Sequence, residues 1–134
     1  MTHPLPDSEM RSLLSAARRA MSHALPHVSG YRVGAALRTA TGEVFTGVNV
    51  ESPSLLQVFC AERVALLKAL SEGQTAFTHI AVVAEQSTPA TPCGLCRQML
   101  HEFAAGIVVV TEDQDGTPLA KPLADYLPEA FDGP

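Results

Sequence analysis

The fold of this chain is predicted best from two apolar segments, Ala61-Glu-Arg-Val-Ala-Leu-Leu-Lys-Ala-Leu70 and His79-Ile-Ala-Val-Val-Ala84. The first segment is apolar on nearly every side and is followed by Gly73, a usual residue after a helix C-terminus, so it predicts a buried helix. The second is a short continuous apolar run, which is typical of a strand covered on both faces. Together they indicate helices layered around a central sheet.

The segments before this core predict one more helix and a hairpin. Asp7 to Leu25 has a helical apolar face, and Pro26 should end that helix. Tyr31 to Leu37 and Glu43 to Val50 predict two strands joined by a turn at Ala40-Thr41-Gly42.

The segments after the core continue the alternation of helices and strands. We predict a helix from Cys93 to Phe103 after Pro92, a strand from Ile107 to Val110, a turn from Asp113 to Gly116 and a short final helix from Leu123 to Leu127. The order favours an α/β fold: a three-layer α/β/α sandwich with one mixed β-sheet, in a single domain over residues 1–134.

Composition narrows the classes of function. The chain of 134 residues is 46% hydrophobic and 17% charged, as in globular proteins, and its formal net charge is -5. It has no run of Lys or Arg, which argues against a nucleic acid partner, and no apolar segment as long as a membrane span. We therefore expect no membrane association and a cytoplasmic location. In such a reducing compartment, three cysteines are metal ligands or reactive thiols rather than a disulfide framework.

The spacing of the three cysteines predicts a metal site. Cys93 and Cys96 are three residues apart at a predicted helix start, and three residues turn a helix by about 300°, so both sulfurs lie on one face. Cys60 lies just before the buried helix, and two helix N-termini favour thiolates over thiols. Three thiolates suit Zn²⁺ with one open position, the arrangement of a catalytic site. His101, five residues after Cys96, is rotated by about 140° and points elsewhere.

Glu62 is the candidate for proton transfer. It lies two residues after Cys60, where a surface helix would normally carry a solvated carboxylate. In a buried helix the carboxylate needs a partner, and a water molecule on zinc, whose pKa falls to about 7, provides one.

These residues resemble a known family. Cys60-Ala-Glu62 followed by Pro92-Cys-Gly-Leu-Cys96 is similar to the signature of the zinc nucleoside and nucleobase deaminases. The closer resemblance is to the short, homotetrameric cytidine deaminases whose zinc ligands are all cysteines. Three more segments carry it in the same order, namely Tyr31-Arg-Val-Gly-Ala-Ala-Leu37, Thr46-Gly-Val-Asn-Val-Glu51 and Leu127-Pro-Glu-Ala-Phe131.

The resemblance implies an activity and a role for each matching residue. The implied reaction is hydrolytic deamination of cytidine or deoxycytidine at ring carbon 4, in pyrimidine salvage, with one Zn²⁺ per chain held by Cys60, Cys93 and Cys96 and with Glu62 as proton shuttle. Substrate contacts are implied for five residues, with Phe131 reaching a neighbouring subunit's site: Tyr31, Asn49, Glu51, Ala61 and Phe131. Arg63, with Arg97 as a second candidate, is implied to offset the charge of the thiolates.

The sequence departs from the family between Glu51 and Cys60, where Ser52 and Leu55 replace a usual Asn and Tyr. The substrate could therefore be another aminopyrimidine such as blasticidin S, although the deaminases of that antibiotic lack the carboxylate that matches Glu51. Two other classes stay open. One is a thiol redox protein built on Cys93-Gly-Leu-Cys96, although the polar loop from Glu85 to Thr91 separates that motif from its strand, and the other is a structural zinc module.

Overall fold

The protein is built around a five-stranded mixed sheet. The computed structural model describes residues 4–85 and 88–134. Its elements are α1 (Asp7–Met21), β1 (Leu25–Pro26), β2 (Val33–Thr39), β3 (Val44–Val48), β4 (Val50–Glu51), β5 (Val58–Phe59), α2 (Ala61–Ser71), β6 (Phe77–Ala84), α3 (Gly94–Ala104), β7 (Val108–Glu112), β8 (Pro118–Pro122) and a 3-10 helix (Leu123–Asp125). The large sheet has the strand order β3-β2-β6-β7-β8, in which β6 and β7 are parallel and the other neighbours antiparallel.

Helices cover both faces of this sheet. Side chains alternate from face to face along each strand, and both faces of the central strands carry apolar side chains that must be buried. On one face α1 buries Leu13, Leu14 and Ala17 against the sheet. On the other face the sheet packs under α2 and α3, with Ala65 and Leu66 at the centre. The predicted three-layer α/β/α sandwich is confirmed. Within the described ranges, no helix is long and apolar enough to cross a bilayer.

A second, three-stranded sheet was not predicted. It has the order β1-β4-β5, with β1 parallel and β5 antiparallel to β4. The single strand predicted from Glu43 to Val50 is wrong, because the chain leaves the large sheet after β3 and joins the small sheet as β4. Asn49 lies at this crossover, where its carbonyl accepts from Leu25 N at 2.9 Å.

Two helices differ from their predictions. The first ends at Met21 rather than Leu25, because Pro26 disfavours a helical residue before it and Leu25 pairs with Val50 instead. The helix α2 ends as predicted before Gly73, which has a φ of +88°. This conformation lets Gly73 N donate to Leu70 O and Gln74 N donate to Ala69 O, which caps the helix C-terminus. This helix is not buried on all sides, since Leu67 is 45% exposed.

The C-terminal part also differs in detail. The turn after β7 is present, with Gly116 N donating to Asp113 O at 3.0 Å. The strand β8 was missed because a proline bounds it at each end, which is tolerated on an edge strand. The helix predicted from Leu123 to Leu127 is only a 3-10 turn. Residues 1–3 of the predicted domain and Gln86 and Ser87 of the predicted polar loop lie outside the described residues.

Candidate metal centre and active site

Three cysteine sulfurs meet where two helices begin. The Sγ atom of Cys93 lies 3.5 Å from Cys60 Sγ and 3.3 Å from Cys96 Sγ, and all three sulfurs are within 4.8 Å of one another. Cys60 is the N-cap of α2, and Cys93 is the N-cap of α3. Cys93 Sγ also accepts from Cys96 N at 3.5 Å, so the first turn of α3 fixes this pair.

Two helix N-termini and a guanidinium favour thiolates here. A hydrogen bond from the Cys96 thiol, together with Arg63, lowers the pKa of Cys60 to about 5. Arg63 Nη2 lies 3.7 Å from Cys60 Sγ.

The donor set fits zinc. Tetrahedral Zn²⁺ with Zn–S bonds of about 2.3 Å separates its sulfur ligands by about 3.8 Å, close to the spacing of these three sulfurs. Thiolate is a soft ligand that selects zinc over calcium or magnesium. His101 does not contribute, because its Nε2 pairs with Asp132 Oδ1 at 2.6 Å on the surface of α3.

Glu62 lies beside the sulfurs and is almost fully buried. Its side chain is 4% exposed, in the first turn of α2. Burial, reinforced by the charge on Cys60, raises the pKa of Glu62 to about 7. A carboxyl with this pKa can both accept and donate a proton at neutral pH, as a general acid–base catalyst must.

Cys60, Cys93 and Glu62 line one cleft of about 370 Å³, whereas Cys96 is fully buried. The size suits a small organic ligand. Its walls come from both sheets and from the loop before α3: Val33, Val58, Phe59, Val82, Ala84, Pro89, Ala90 and Thr91. The lining is mostly apolar, with carboxylates at two places.

The second carboxylate, Glu51, lies with Asn49 in the same cleft. Both side chains are buried, at 7% and 5% exposure. Asn49 Oδ1 accepts from Val33 N at 2.9 Å, and Asn49 Nδ2 donates to Tyr31 O at 2.7 Å and to Glu51 Oε2 at 2.9 Å. The crossover between the two sheets therefore places this polar pair.

Of the five other predicted site residues, two line the cleft and three do not. Tyr31 and Ala61 line the cleft. Phe131 is 66% exposed, on a tail held by a hydrogen bond from Gln98 Nε2 to Phe131 O at 2.8 Å. Arg97 donates to Pro92 O at 2.7 Å and to Tyr126 O at 2.9 Å, so its guanidinium anchors the C-terminal segment, whereas Arg63 contacts the cysteine.

Sequence reasoning missed Ser29, which also lines the cleft. Its backbone N and its Oγ both donate to the Glu51 carboxylate. The available signal was the Ser29-Gly30 pair between a proline-terminated helix and a strand, a typical turn sequence. That signal predicts a turn but does not indicate which carboxylate it would face.

Comparison with known proteins agrees with this geometry. Residues 7–112 match the family model described as "Cytidine and deoxycytidylate deaminase zinc-binding region". The chain is 36% identical over 124 residues to a cytidine deaminase of Sporosarcina psychrophila, covering 92% of this chain and 91% of the relative. It is 33% identical over 90 residues to a blasticidin-S deaminase of Bacillus cereus, covering 61% of this chain and 64% of the relative.

A solved structure shows the same fold. The crystal structure of cytidine deaminase from Burkholderia pseudomallei superposes with a TM-score of 0.84 at 40% identity, over 98% of this chain and 100% of that chain. The match over the zinc-binding region and the convergence of Cys60, Cys93 and Cys96 agree, and the chain belongs to the cytidine and deoxycytidylate deaminase family of zinc-dependent hydrolases.

Proposed function

We propose that this protein catalyses the hydrolytic deamination of cytidine and deoxycytidine to uridine and deoxyuridine with release of ammonia. The observation that carries the proposal is a single cleft lined by two groups of polar residues. The first group is Cys60, Cys93 and Glu62, with the buried Cys96 beside the two sulfurs, and the second is Asn49 and Glu51. The first group suits attack on an aminopyrimidine ring, and the second suits the hydroxyl groups of a sugar. The relatives named cytidine deaminase support this assignment.

The residues divide the chemistry between them. Zinc held by Cys60, Cys93 and Cys96 would supply the acidity that makes water a nucleophile at neutral pH. Glu62, with its pKa near 7, takes the proton that the water loses, delivers it to the ring nitrogen and then assists departure of the amino group as ammonia. The substrate gains one water molecule and loses one ammonia, so no oxidant or reductant is needed.

Charge in the cleft favours a nucleoside over a nucleotide. Among the described residues that line it, the charged side chains outside the sulfur cluster are the carboxylates Glu51 and Glu62, and the lining includes no Lys, Arg or His. A phosphate group would meet a carboxylate without a cationic partner, and such an arrangement is strongly unfavourable. We therefore place cytidine and deoxycytidine ahead of their monophosphates.

A substrate panel tests the proposal directly. Ammonia release is measured with cytidine, deoxycytidine, deoxycytidine monophosphate, cytosine and blasticidin S, with Glu62→Gln protein as the blank. The proposal predicts the highest kcat/KM for the two nucleosides. Turnover of the monophosphate above that of deoxycytidine would overturn it.

A second candidate substrate is blasticidin S. Similarity to a blasticidin-S deaminase favours it, as do Ser52 and Leu55 in the loop after β4, with Leu55 64% exposed. The buried, hydrogen-bonded Glu51 favours the nucleoside, because a sugar hydroxyl matches a carboxylate acceptor. Deamination of blasticidin S alone in the panel would establish the alternative.

We also propose that the active form is a homo-oligomer, namely a tetramer. Apolar side chains near the cleft and on the helices remain exposed in one copy, among them Leu56 at 86%, Leu95 at 67%, Leu67 at 45% and Phe131 at 66%. Exposed apolar residues mark interaction sites where they form a contiguous patch, and we infer that these side chains lie at subunit interfaces. Light scattering and activity over a dilution series test this, and a fully active monomer would refute it.

A cytoplasmic location and a role in pyrimidine salvage stay predictions, consistent with three free cysteines.

A further inference from the structure

The Glu51 carboxylate is held by an unusually complete set of donors. Val28 N and Ser29 N donate to Oε1 at 3.1 and 2.7 Å. Ser29 Oγ and Asn49 Nδ2 donate to Oε2 at 2.8 and 2.9 Å. With two donors on each oxygen, the carboxylate has one preferred orientation in the cleft.

The backbone explains why the donors meet there. Pairing of β1 with β4 places Pro26 opposite Glu51, and the following turn closes with Gly30 N donating to Pro26 O at 2.9 Å. This turn directs the successive amides of Val28 and Ser29 at one oxygen, as anion-binding backbone nests do. Burial by itself raises the pKa of Glu51, but these donors outweigh it, so that the pKa lies below its usual value.

Ser29 contributes more to this arrangement than the other residues. It is the residue that contacts both carboxylate oxygens, through its amide and its hydroxyl. Its Oγ is itself fixed by accepting from Tyr31 N at 3.1 Å. One side chain therefore connects the turn with the segment before β2 and with Glu51 at the end of β4.

We propose that Ser29 is a positioning residue that orients Glu51 to accept a hydroxyl group of the substrate's sugar. The inference rests on the proposed function, since it assumes that the ligand is a nucleoside. A sugar hydroxyl would donate a hydrogen bond to a carboxylate oxygen that the turn already holds in place. Binding therefore costs little further conformational entropy. Ser29 acts through Glu51 and determines recognition of the sugar rather than the chemistry at the ring.

The test compares substrates with and without the 2′- and 3′-hydroxyl groups of the sugar. Zinc-loaded Ser29→Ala, Ser29→Thr, Glu51→Gln and Ser29→Ala/Glu51→Gln proteins are assayed with cytidine and with 2′,3′-dideoxycytidine, and Ser22→Ala is the control for loss of an exposed hydroxyl. Ser29→Ala is expected to raise KM for cytidine about 5- to 10-fold, with kcat and KM for dideoxycytidine within about twofold. Ser29→Thr, which keeps the hydroxyl, should restore KM for cytidine.

The double variant decides whether Ser29 acts through Glu51. In the Glu51→Gln background, Ser29→Ala should raise KM for cytidine less than twofold, because the carboxylate that it orients is gone. An equal rise of KM for both substrates, or effects that multiply in the double variant, would overturn the proposal. Ser29→Ala also removes the acceptor of Tyr31 N, so its melting temperature should fall by a few degrees, and unchanged kcat and KM for dideoxycytidine show that the variant is folded.

The outcomes separate this inference from the proposed function. If wild-type protein deaminates neither nucleoside, the proposed function fails and the inference fails with it. A second outcome is that wild type deaminates both substrates, while Glu51→Gln raises KM for cytidine but not for dideoxycytidine and Ser29→Ala changes neither KM. In that case the proposed function stands and the positioning role of Ser29 is refuted.

Discussion

Arg63 Nη2 donates a hydrogen bond to Cys60 Sγ across 3.7 Å, from within the helix that Cys60 caps. The contact matters because three thiolates around one Zn²⁺ carry a net charge of about -1, which weakens the acidity of a bound water molecule. A guanidinium beside the sulfur draws off part of that charge.

Arg63→Gln should therefore damage the metal centre. We expect zinc release to a chelator to become faster and kcat to fall about 10-fold, within the 10- to 100-fold range for residues that support metal ligands. Arg97→Gln is the matched comparison, since Arg97 bonds to Pro92 O and Tyr126 O. That variant should lower the melting temperature and leave the rate of zinc release unchanged. Equal acceleration of zinc release in both variants would contradict the assignment.

Removing one sulfur tests the metal itself. Cys93 is both a sulfur of the cluster and the N-cap of α3, and serine is a good N-cap, so Cys93→Ser removes the thiolate while keeping a cap. Wild-type protein should carry about one zinc per chain, and Cys93→Ser should lose most of it together with part of its thermal stability. Thr91→Ser, at the same wall of the cleft, is the control. Full zinc content in Cys93→Ser, measured by mass spectrometry of the metal, would remove Cys93 from the ligand set.

Glu62→Gln separates proton transfer from binding. The amide keeps the size of the buried side chain but cannot shuttle a proton, so turnover should fall at least about 100-fold while zinc content and fold are retained. Glu72→Gln, on an exposed residue just after the same helix, is the matched control and should behave as wild type. A Glu62→Gln enzyme with near-normal kcat would show that the buried carboxyl has only a structural role.

The sequence predicted the metal site better than the part of the cleft around Glu51, for physical reasons. Cys60, Cys93 and Cys96 each lie at or near a helix start, and helix geometry follows a regular period, so their convergence can be expected from spacing. The position of Glu51 depends on the crossover between two sheets at Asn49 and on a two-residue strand at Leu25. Strands this short have no period to detect, so neither the small sheet nor the contact between Ser29 and Glu51 could be inferred.

Buried polar groups outside the site should set part of the pH dependence of stability. His79 is 3% exposed and lies in β6. Burial, aided by the charge of Arg38 and opposed by Glu9, lowers the pKa of His79. His79 therefore binds a proton more weakly in the folded state than in the unfolded state, where its pKa is about 6.5. Above about pH 6.5 His79 is neutral in both states and stability does not change with its titration, whereas stability falls as the pH drops below about 6.5 toward the lower folded pKa.

Comparison with His79→Leu isolates that contribution. The melting temperature of wild type should fall relative to the variant between about pH 7 and pH 5, whatever the offset between them at neutral pH. Loss of zinc at low pH affects both proteins, so the difference between the two curves reports the histidine. A constant difference over this range would show that His79 does not titrate as the structure implies.

Gly47 lies at the contact that places α2 on the sheet. A Cβ atom added at Gly47 would lie 2.3 Å from Ala61 O and 2.5 Å from Ala65 N, so α2 approaches β3 across a position that only glycine allows. Gly47→Ala must push this helix away, and overpacking of this kind costs about 1–3 kcal/mol. Because Ala61 lies between Cys60 and Glu62, the same displacement should lower kcat as well as the melting temperature. Gly106→Ala, where an added Cβ has no neighbouring atom within 4 Å, should leave both unchanged. Wild-type stability and turnover in Gly47→Ala would mean that the sheet does not fix the position of the catalytic helix.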